Sequence, residues 1–179
     1  MRKKIILGFL LVFFIAVTIN NSMGQPNKLE VGDTIPTFTL KDQNNTNFDI
    51  DTYRGKTPMV IYFYPKDDTP GCTKEACSFR DEFETFTDLN VEVIGISSDD
   101  VVSHKKFAEK YNLPFTLLAD TKKKVRKLFG VPNNLLGLLP GRVTYVVNKN
   151  GIIVHIFDSQ FSAEKHITEA LSILKGIAE

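Results

Sequence analysis

Cys72 and Cys77 are the only cysteines of the chain, and both lie in the run Pro65-Lys66-Asp67-Asp68-Thr69-Pro70-Gly71-Cys72-Thr73-Lys74-Glu75-Ala76-Cys77. An apolar stretch from Met59 to Phe63 precedes the run and a helical pattern follows it, so Cys72 falls at a helix start. Unpaired backbone N–H groups and the positive end of the helix dipole favour a thiolate at such a position. Cys77, five residues on, is placed to capture whatever Cys72 becomes on oxidation. The pair reads as a redox site.

A free thiol titrates near pH 8.5 and is only about 3% ionised at pH 7. Making it mostly thiolate asks for about 3–4 kcal/mol, whereas a helix N-terminus supplies about 0.3–2 kcal/mol. A cation is therefore needed nearby. Arg142 is the best candidate, because it opens an apolar strand after a loop; the commoner role of a long charged side chain there is a solvated strand end. The Thr69 hydroxyl, three residues before Cys72, is suited to donate to one oxygen of a small substrate while the thiol attacks the other. Its ordinary role would be a turn hydrogen bond. Pro65 ends the strand without an N–H, and Pro70-Gly71 bends the chain so that the Cys72 N–H faces a pocket. Asp67 and Asp68 read as solvated loop residues rather than an acid/base or metal pair.

The spacing of the thiols matters. Five residues along an ideal helix give about 7.5 Å of rise and about 140° of rotation, hence roughly 8.6 Å between Cα atoms. A disulfide tolerates about 7 Å. If both cysteines are helical, a bond between them requires local unwinding, which makes a poor staple and a workable switch.

The elements that must hold these residues follow from the pattern. Phe38 to Leu40 and Asn47 to Ile50 form a hairpin about the polar turn Lys41 to Asn45. Met59 to Tyr64 is a strand buried on both faces, and Thr73 to Leu89 a helix with Ala76, Phe79, Phe83 and Phe86 on one side. Val91 to Ile96 is the next strand. Asp99 or Asp100 caps a helix through Phe107 to Tyr111. Thr116 to Ala119 is a strand, and Asp120 caps a basic helix from Lys122 to Phe129, whose lysines and Arg126 read as one solvated face. A loop from Val131 to Gly141 leads to strands Arg142 to Val147 and Ile152 to Phe157 about Asn150-Gly151, a hairpin signal. Ala163 to Ile177 is an amphipathic helix. Strands separated by helices imply right-handed parallel crossovers, with the late hairpin antiparallel. The expected fold is α/β and thioredoxin-like: a mixed central sheet, helices on both faces and an N-terminal β-hairpin.

Residues 1–24 differ in kind. Arg2, Lys3 and Lys4 precede an apolar run from Ile5 to Val17, and Ser22-Met23-Gly24 suits cleavage, so residues 1–24 read as a signal peptide or an N-terminal membrane anchor. Residues 25–179 are then one domain. A plastid transit peptide would be longer, richer in serine and less hydrophobic, so the expected address is exported, periplasmic or otherwise extracytoplasmic. Losing residues 1–24 takes away three cations and no acid, turning the net charge from +1 to −2. Such a domain offers no electrostatic argument for nucleic acid or anionic membrane. Gly55-Lys56-Thr57 resembles the end of a phosphate-binding loop, but Ile50 stands where the first glycine is required.

Pro65, Thr69 and Cys72 match Pro-x-x-x-Thr-x-x-Cys, which resembles the signature of peroxiredoxins. The longer run from Phe63-Tyr64-Pro65 through Cys77-Ser78-Phe79-Arg80 is similar to the peroxiredoxin Q, or bacterioferritin comigratory protein, group. The runs Val131-Pro132 through Leu139-Pro140-Gly141-Arg142, and Gln160-Phe161 with Glu164-Lys165-His166, resemble its chloroplast-type branch. The resemblance covers about Leu29 to Leu174. It implies a peroxidatic Cys72 that forms a sulfenic acid, a resolving Cys77 that closes an intramolecular disulfide, and reduction by thioredoxin or a thioredoxin-like donor. Arg142 would stabilise the thiolate and orient the peroxide, Thr69 would hydrogen-bond both, and Pro65 would shield the pocket. Substrates would be hydrogen peroxide and small organic hydroperoxides, with no cofactor and no metal, and the intramolecular bond suits a monomer.

Two rivals sit on the same fold. A thiol–disulfide oxidoreductase would carry Cys-x-x-Cys, and this chain has four residues between its cysteines. A copper-binding assembly factor would pair Cys-x-x-x-Cys with a distant histidine; His155 could serve, although its setting is that of a tolerated strand residue. His104 and His166 are expected to face solvent.

Overall fold

The computed structural model describes residues 28–134 and 137–178. Residues 1–24, read as a leader, lie outside the described residues. Among the described residues nine strands and five α-helices follow in the order β1 (Thr39–Asp42), β2 (Asn47–Asp49), β3 (Met59–Phe63), α1 (Pro70–Asp81), α2 (Phe83–Asp88), β4 (Glu92–Ser97), α3 (Val101–Tyr111), β5 (Thr116–Ala119), α4 (Lys124–Leu128), β6 (Asn133–Asn134), β7 (Leu139–Pro140), β8 (Val143–Val147), β9 (Ile153–Asp158) and α5 (Ala163–Ala178). The seven-stranded sheet has the order β2-β1-β5-β4-β3-β8-β9. Its centre, β5-β4-β3, is parallel, while the two hairpins flank it antiparallel. This is the mixed thioredoxin-like sheet expected from the element order, because the crossovers after β3 and β4 run through helices.

The alternation along β3 divides the core. Val60 and Tyr62 pack on one face with Cys72, Ala76 and Phe79 of α1, Phe86 of α2, Phe107 of α3, and Ile167, Ala170, Leu171 and Leu174 of α5. Met59, Ile61 and Phe63 pack on the other face with Ile35, Phe38, Phe48 and Ile50 of the N-terminal segment and Val125 and Phe129 of the α4 region. Burial on both faces is why β3 reads as a continuous apolar run, and β4 and β8 are buried along almost all their length too.

Two elements differ from expectation. The helix after Cys72 starts earlier, at Pro70, whose missing N–H and fixed φ suit the first helical position. It also breaks at Glu82, with φ −99 and ψ 7, so that α2 sets off separately and Phe86 reaches the core. The expected loop from Val131 to Gly141 contains the short ladder β6–β7, with Asn133 opposite Pro140.

Candidate active site

The site forms where β3 ends and β8 begins. Phe63 pairs with Val143 in antiparallel register, so the residues after β3 and before β8 share one edge. The chain leaving β3 turns through Pro65–Thr69 into α1, and Cys72 sits in the first turn, 2% exposed. Arg142, immediately before β8, reaches it: Nη2 donates to Cys72 Sγ at 3.4 Å. Its Nη1 donates to Glu75 Oε2 and its Nε to the Gln160 carbonyl at 3.2 Å. With all three arms engaged, Arg142 is fixed rather than solvated. Gly71 and Gly141 make room: a Cβ on Gly71 would lie 3.2 Å from Arg142 Nη2, and one on Gly141 would lie 2.5 Å from the Pro132 carbonyl oxygen.

Glu75 was not among the sequence-derived candidates. It is fully buried one turn after Cys72, and burial pushes its carboxyl up to about 8 against the pull of Arg142. Burial opposes the charge on Arg142, but Glu75 and Cys72 outweigh it and hold the guanidinium above its ordinary value. The signal in the sequence was a Glu inside the stripe Cys72, Ala76, Phe79, where a carboxylate needs a buried partner.

A cleft of about 730 Å³ opens over Cys72, lined by Pro65, Thr69, Cys72, Arg142 and, at its rim, Leu139 and Phe161. Thr69 donates its hydroxyl to the Lys66 carbonyl at 3.0 Å, the turn bond that threonine commonly makes, while the residue lines the cleft. Cys77 is half-buried farther along α1, and both cysteines are free thiols. It does not line the cleft, so the structure keeps the two thiols apart within one helix.

Several expected surface residues are core. His104 and His166 are both fully buried, because they fall on the inward faces of α3, with Phe107, and of α5, with Ile167 and Ala170. Arg126 is buried too, although the lysines around it suggest a solvated face. It donates to the Tyr64 carbonyl and the Gly141 carbonyl, each at 3.0 Å, and so braces the end of β3 against the residue before Arg142. Asp67 is also buried, and only Asp68 meets the expectation of an exposed loop residue. His155 faces Glu169 at 3.6 Å; among the described residues no group of three or more His, Cys, Asp or Glu could hold a metal ion.

His166 gives a pH prediction. Its Nε2 lies 2.8 Å from the Ser159 carbonyl, which only accepts, so Nε2 carries the proton and Nδ1 accepts from the Thr144 hydroxyl at 2.7 Å. Burial lowers its pKa to about 4, with the Ser159 bond opposing and the charge of Arg142 assisting. The unfolded chain therefore binds a proton that the folded chain refuses as pH falls from about 6.5 to about 4. The stabilisation is present above this window and lost on passing down through it, by about 2–3 kcal/mol at pH 4.5. In urea unfolding, wild type should lose that much more than His166→Gln between pH 7 and pH 4.5. Parallel losses would sink the assignment.

Residues 31–156 match the AhpC/TSA family, and the chain belongs to it. It is 53% identical over 150 residues to the chloroplastic peroxiredoxin Q of Oryza sativa subsp. japonica, covering 84% of this chain and 69% of that protein. Against the chloroplastic peroxiredoxin Q of Arabidopsis thaliana it is 57% identical over 149 residues, covering 83% and 68%. Among solved structures, peroxidoxin BcpB of Mycobacterium tuberculosis has a TM-score of 0.77 at 38% identity, covering 83% of this chain and 98% of that one. A PrxQ mutant from Xylella fastidiosa also reaches a TM-score of 0.77, at 30% identity, covering 84% and 98%. The chain is a thiol-dependent peroxidase of the peroxiredoxin Q type on a thioredoxin-like fold.

The same relatives correct the expected address. Periplasmic or other extracytoplasmic export and membrane anchoring were read from residues 1–24, whereas the plant relatives at 53–57% identity are named chloroplastic, which contradicts that address. The physical reason for the error is that a cationic, apolar leader records what a targeting receptor can grip, and composition alone does not name the compartment behind it. Among the described residues no helix is long and apolar enough to cross a membrane.

Proposed function

We propose that Cys72 is the peroxidatic cysteine, Cys77 its resolving partner, and Arg142, Thr69 and Pro65 the residues that bind and orient the peroxide, within a peroxidase unit spanning residues 25–179. The observation that carries this reading is the buried Cys72 sulfur accepting a hydrogen bond from Arg142 Nη2 at 3.4 Å, at the floor of an open cleft. The thiolate attacks one peroxide oxygen, an S–O bond forms as the O–O bond breaks, and the departing oxygen leaves as water or alcohol once protonated. Arg142 holds positive charge where the negative charge is redistributed. Thr69 turns its hydroxyl from the Lys66 carbonyl to the peroxide, and Pro65, lacking an N–H, walls the site without competing for the sulfur.

The Cys77 thiol then attacks the sulfenic sulfur; the S–S bond forms, the S–O bond breaks, and water leaves. Thioredoxin or a thioredoxin-like dithiol reduces the bond, and hydrogen peroxide and small organic hydroperoxides are the substrates. The apolar rim at Leu139 and Phe161 supports the organic class. Both sulfurs come from one chain, so the cycle is complete in a monomer.

The test is a thiol count before and after one equivalent of hydrogen peroxide, followed by peptide mapping. Two thiols should disappear with formation of a Cys72–Cys77 link, and Cys77→Ser should stall after one equivalent with Cys72 as the sulfenic acid, which a second equivalent takes to the sulfinic acid. Survival of both thiols at modest peroxide excess would remove the assignment.

A further inference from the structure

We propose that the last turn of α3, through Lys110 and Tyr111, is a post holding both ends of the segment that carries the two thiols, and so governs how fast Cys77 reaches Cys72. The inference rests on the roles proposed above for these cysteines. Both sit in α1, and helical geometry keeps positions five apart beyond disulfide reach, so the start of α1 must open before the bond can form.

What resists the opening lies outside the cleft. Asp68, one residue before Thr69, is gripped by Lys110 Nζ at 2.7 Å to each carboxylate oxygen and by the Tyr111 hydroxyl at 2.6 Å. Its backbone is in the left-handed region, φ +56, a strained setting that persists only where the surroundings hold it. At the other end of the segment, beyond Cys77, Arg80 Nη1 donates to the Tyr111 carbonyl at 2.8 Å. Two adjacent residues of α3 therefore secure the chain on both sides of the thiol pair. The hydrogen bonds from Lys110 and Tyr111 also hold the Asp68 carboxyl below the usual carboxylate range, so the grip is intact at neutral pH.

Asp67 shows where the opening must stop. Its carboxylate is buried and takes hydrogen bonds from the Tyr64 hydroxyl at 2.7 Å, the Ser103 hydroxyl at 2.7 Å and His104 Nδ1 at 2.9 Å, while its N–H donates to Asp99 Oδ2 at 3.0 Å. Releasing it would leave the buried Tyr64 hydroxyl and His104 without their partner, which is costlier than freeing a solvent-facing carboxyl. Asp67 is thus the fixed pivot and Asp68 the first releasable contact. Lys110 and Tyr111 do not line the cleft, so they are positioning residues for the second step and spectators of the first.

The experiment follows full-length wild type and Lys110→Met/Tyr111→Phe after mixing with hydrogen peroxide, quenching with an alkylating agent at millisecond intervals and weighing the products. The sulfenic acid should form at a rate within about twofold of wild type. Closure of the Cys72–Cys77 bond should be about fivefold faster, and the sulfinic fraction at high peroxide should fall by a similar factor. Lys110→Arg, which keeps the charge, should return closure towards the wild-type rate. Asp68→Asn, whose side chain tolerates the left-handed backbone, tests the same grip from the loop and decides the matter should the double variant misfold. Closure unchanged or slowed, or both steps shifted alike, overturns the proposal. Absence of any Cys72–Cys77 link in wild type would instead overturn the cysteine assignment on which it rests.

Discussion

Replacing Cys72 by serine is expected to leave peroxide consumption at the reductant-only background, a fall of at least about 10⁴-fold. The substitution is nearly isosteric and keeps a group that Arg142 can hydrogen-bond, so the cleft and the buried Arg142–Glu75 pair survive. What disappears is the polarisable sulfur; a serine hydroxyl has no base beside it to take its proton, and oxygen does not cycle through a sulfenic state. Cys77 does not rescue the reaction, since it lies outside the cleft and away from Arg142. The measurement is peroxide loss with a dithiol reductant, with unfolding curves to show that the variant is folded. Turnover retained in a folded variant would refute the assignment.

Arg142→Met is expected to slow the first oxidation by about 10²–10³-fold, the usual cost of removing a preorganised charge from a developing anion. The variant confounds two effects, because Glu75 is left buried without its cation. Losing one member of a buried ion pair commonly costs about 3–5 kcal/mol, less where the survivor can protonate. Burial already pushes Glu75 up to about 8, which favours that route once its cation is gone. The double variant Arg142→Met/Glu75→Gln separates the effects. It should recover much of the lost stability and none of the lost rate, read as the second-order rate of Cys72 oxidation under single-turnover conditions. Recovery of the rate would mean that Arg142 works only by neutralising Glu75.

The sheet, the crossovers and the two thiols were legible because each rests on a short-range pattern. A doubly buried strand such as Met59–Phe63 shows as an unbroken apolar run, and a helix start shows as Pro70 before a periodic stripe. The buried polar residues were not legible in the same way. His104, His166 and Arg126 look like surface residues by type, and only their position in an apolar stripe, beside Phe107, Ile167 and Val125, betrays them. Asp67 has no such signal, since its partners come from α3 and from Tyr64 just past β3, and its neighbour Asp68 is exposed. The distant cation at Arg142 followed from an energetic shortfall at the thiol, whereas Glu75, which shares that cation, was missed although it lies three residues from Cys72.

The separation of Arg142 from Cys72 in sequence has a consequence for synthesis. The two are 70 residues apart, and only the register of β8 on β3 brings them together. Cys72 leaves the ribosome about 4 to 14 seconds before Arg142 does, at ordinary elongation rates of about 5–20 residues per second. During that interval the sulfur lacks its Arg142 hydrogen bond and, on the roles proposed above, meets peroxide as any cysteine does. On that reading activation arrives with the last strands, so an unfinished chain is spared rapid oxidation at a helix whose partners are not yet made.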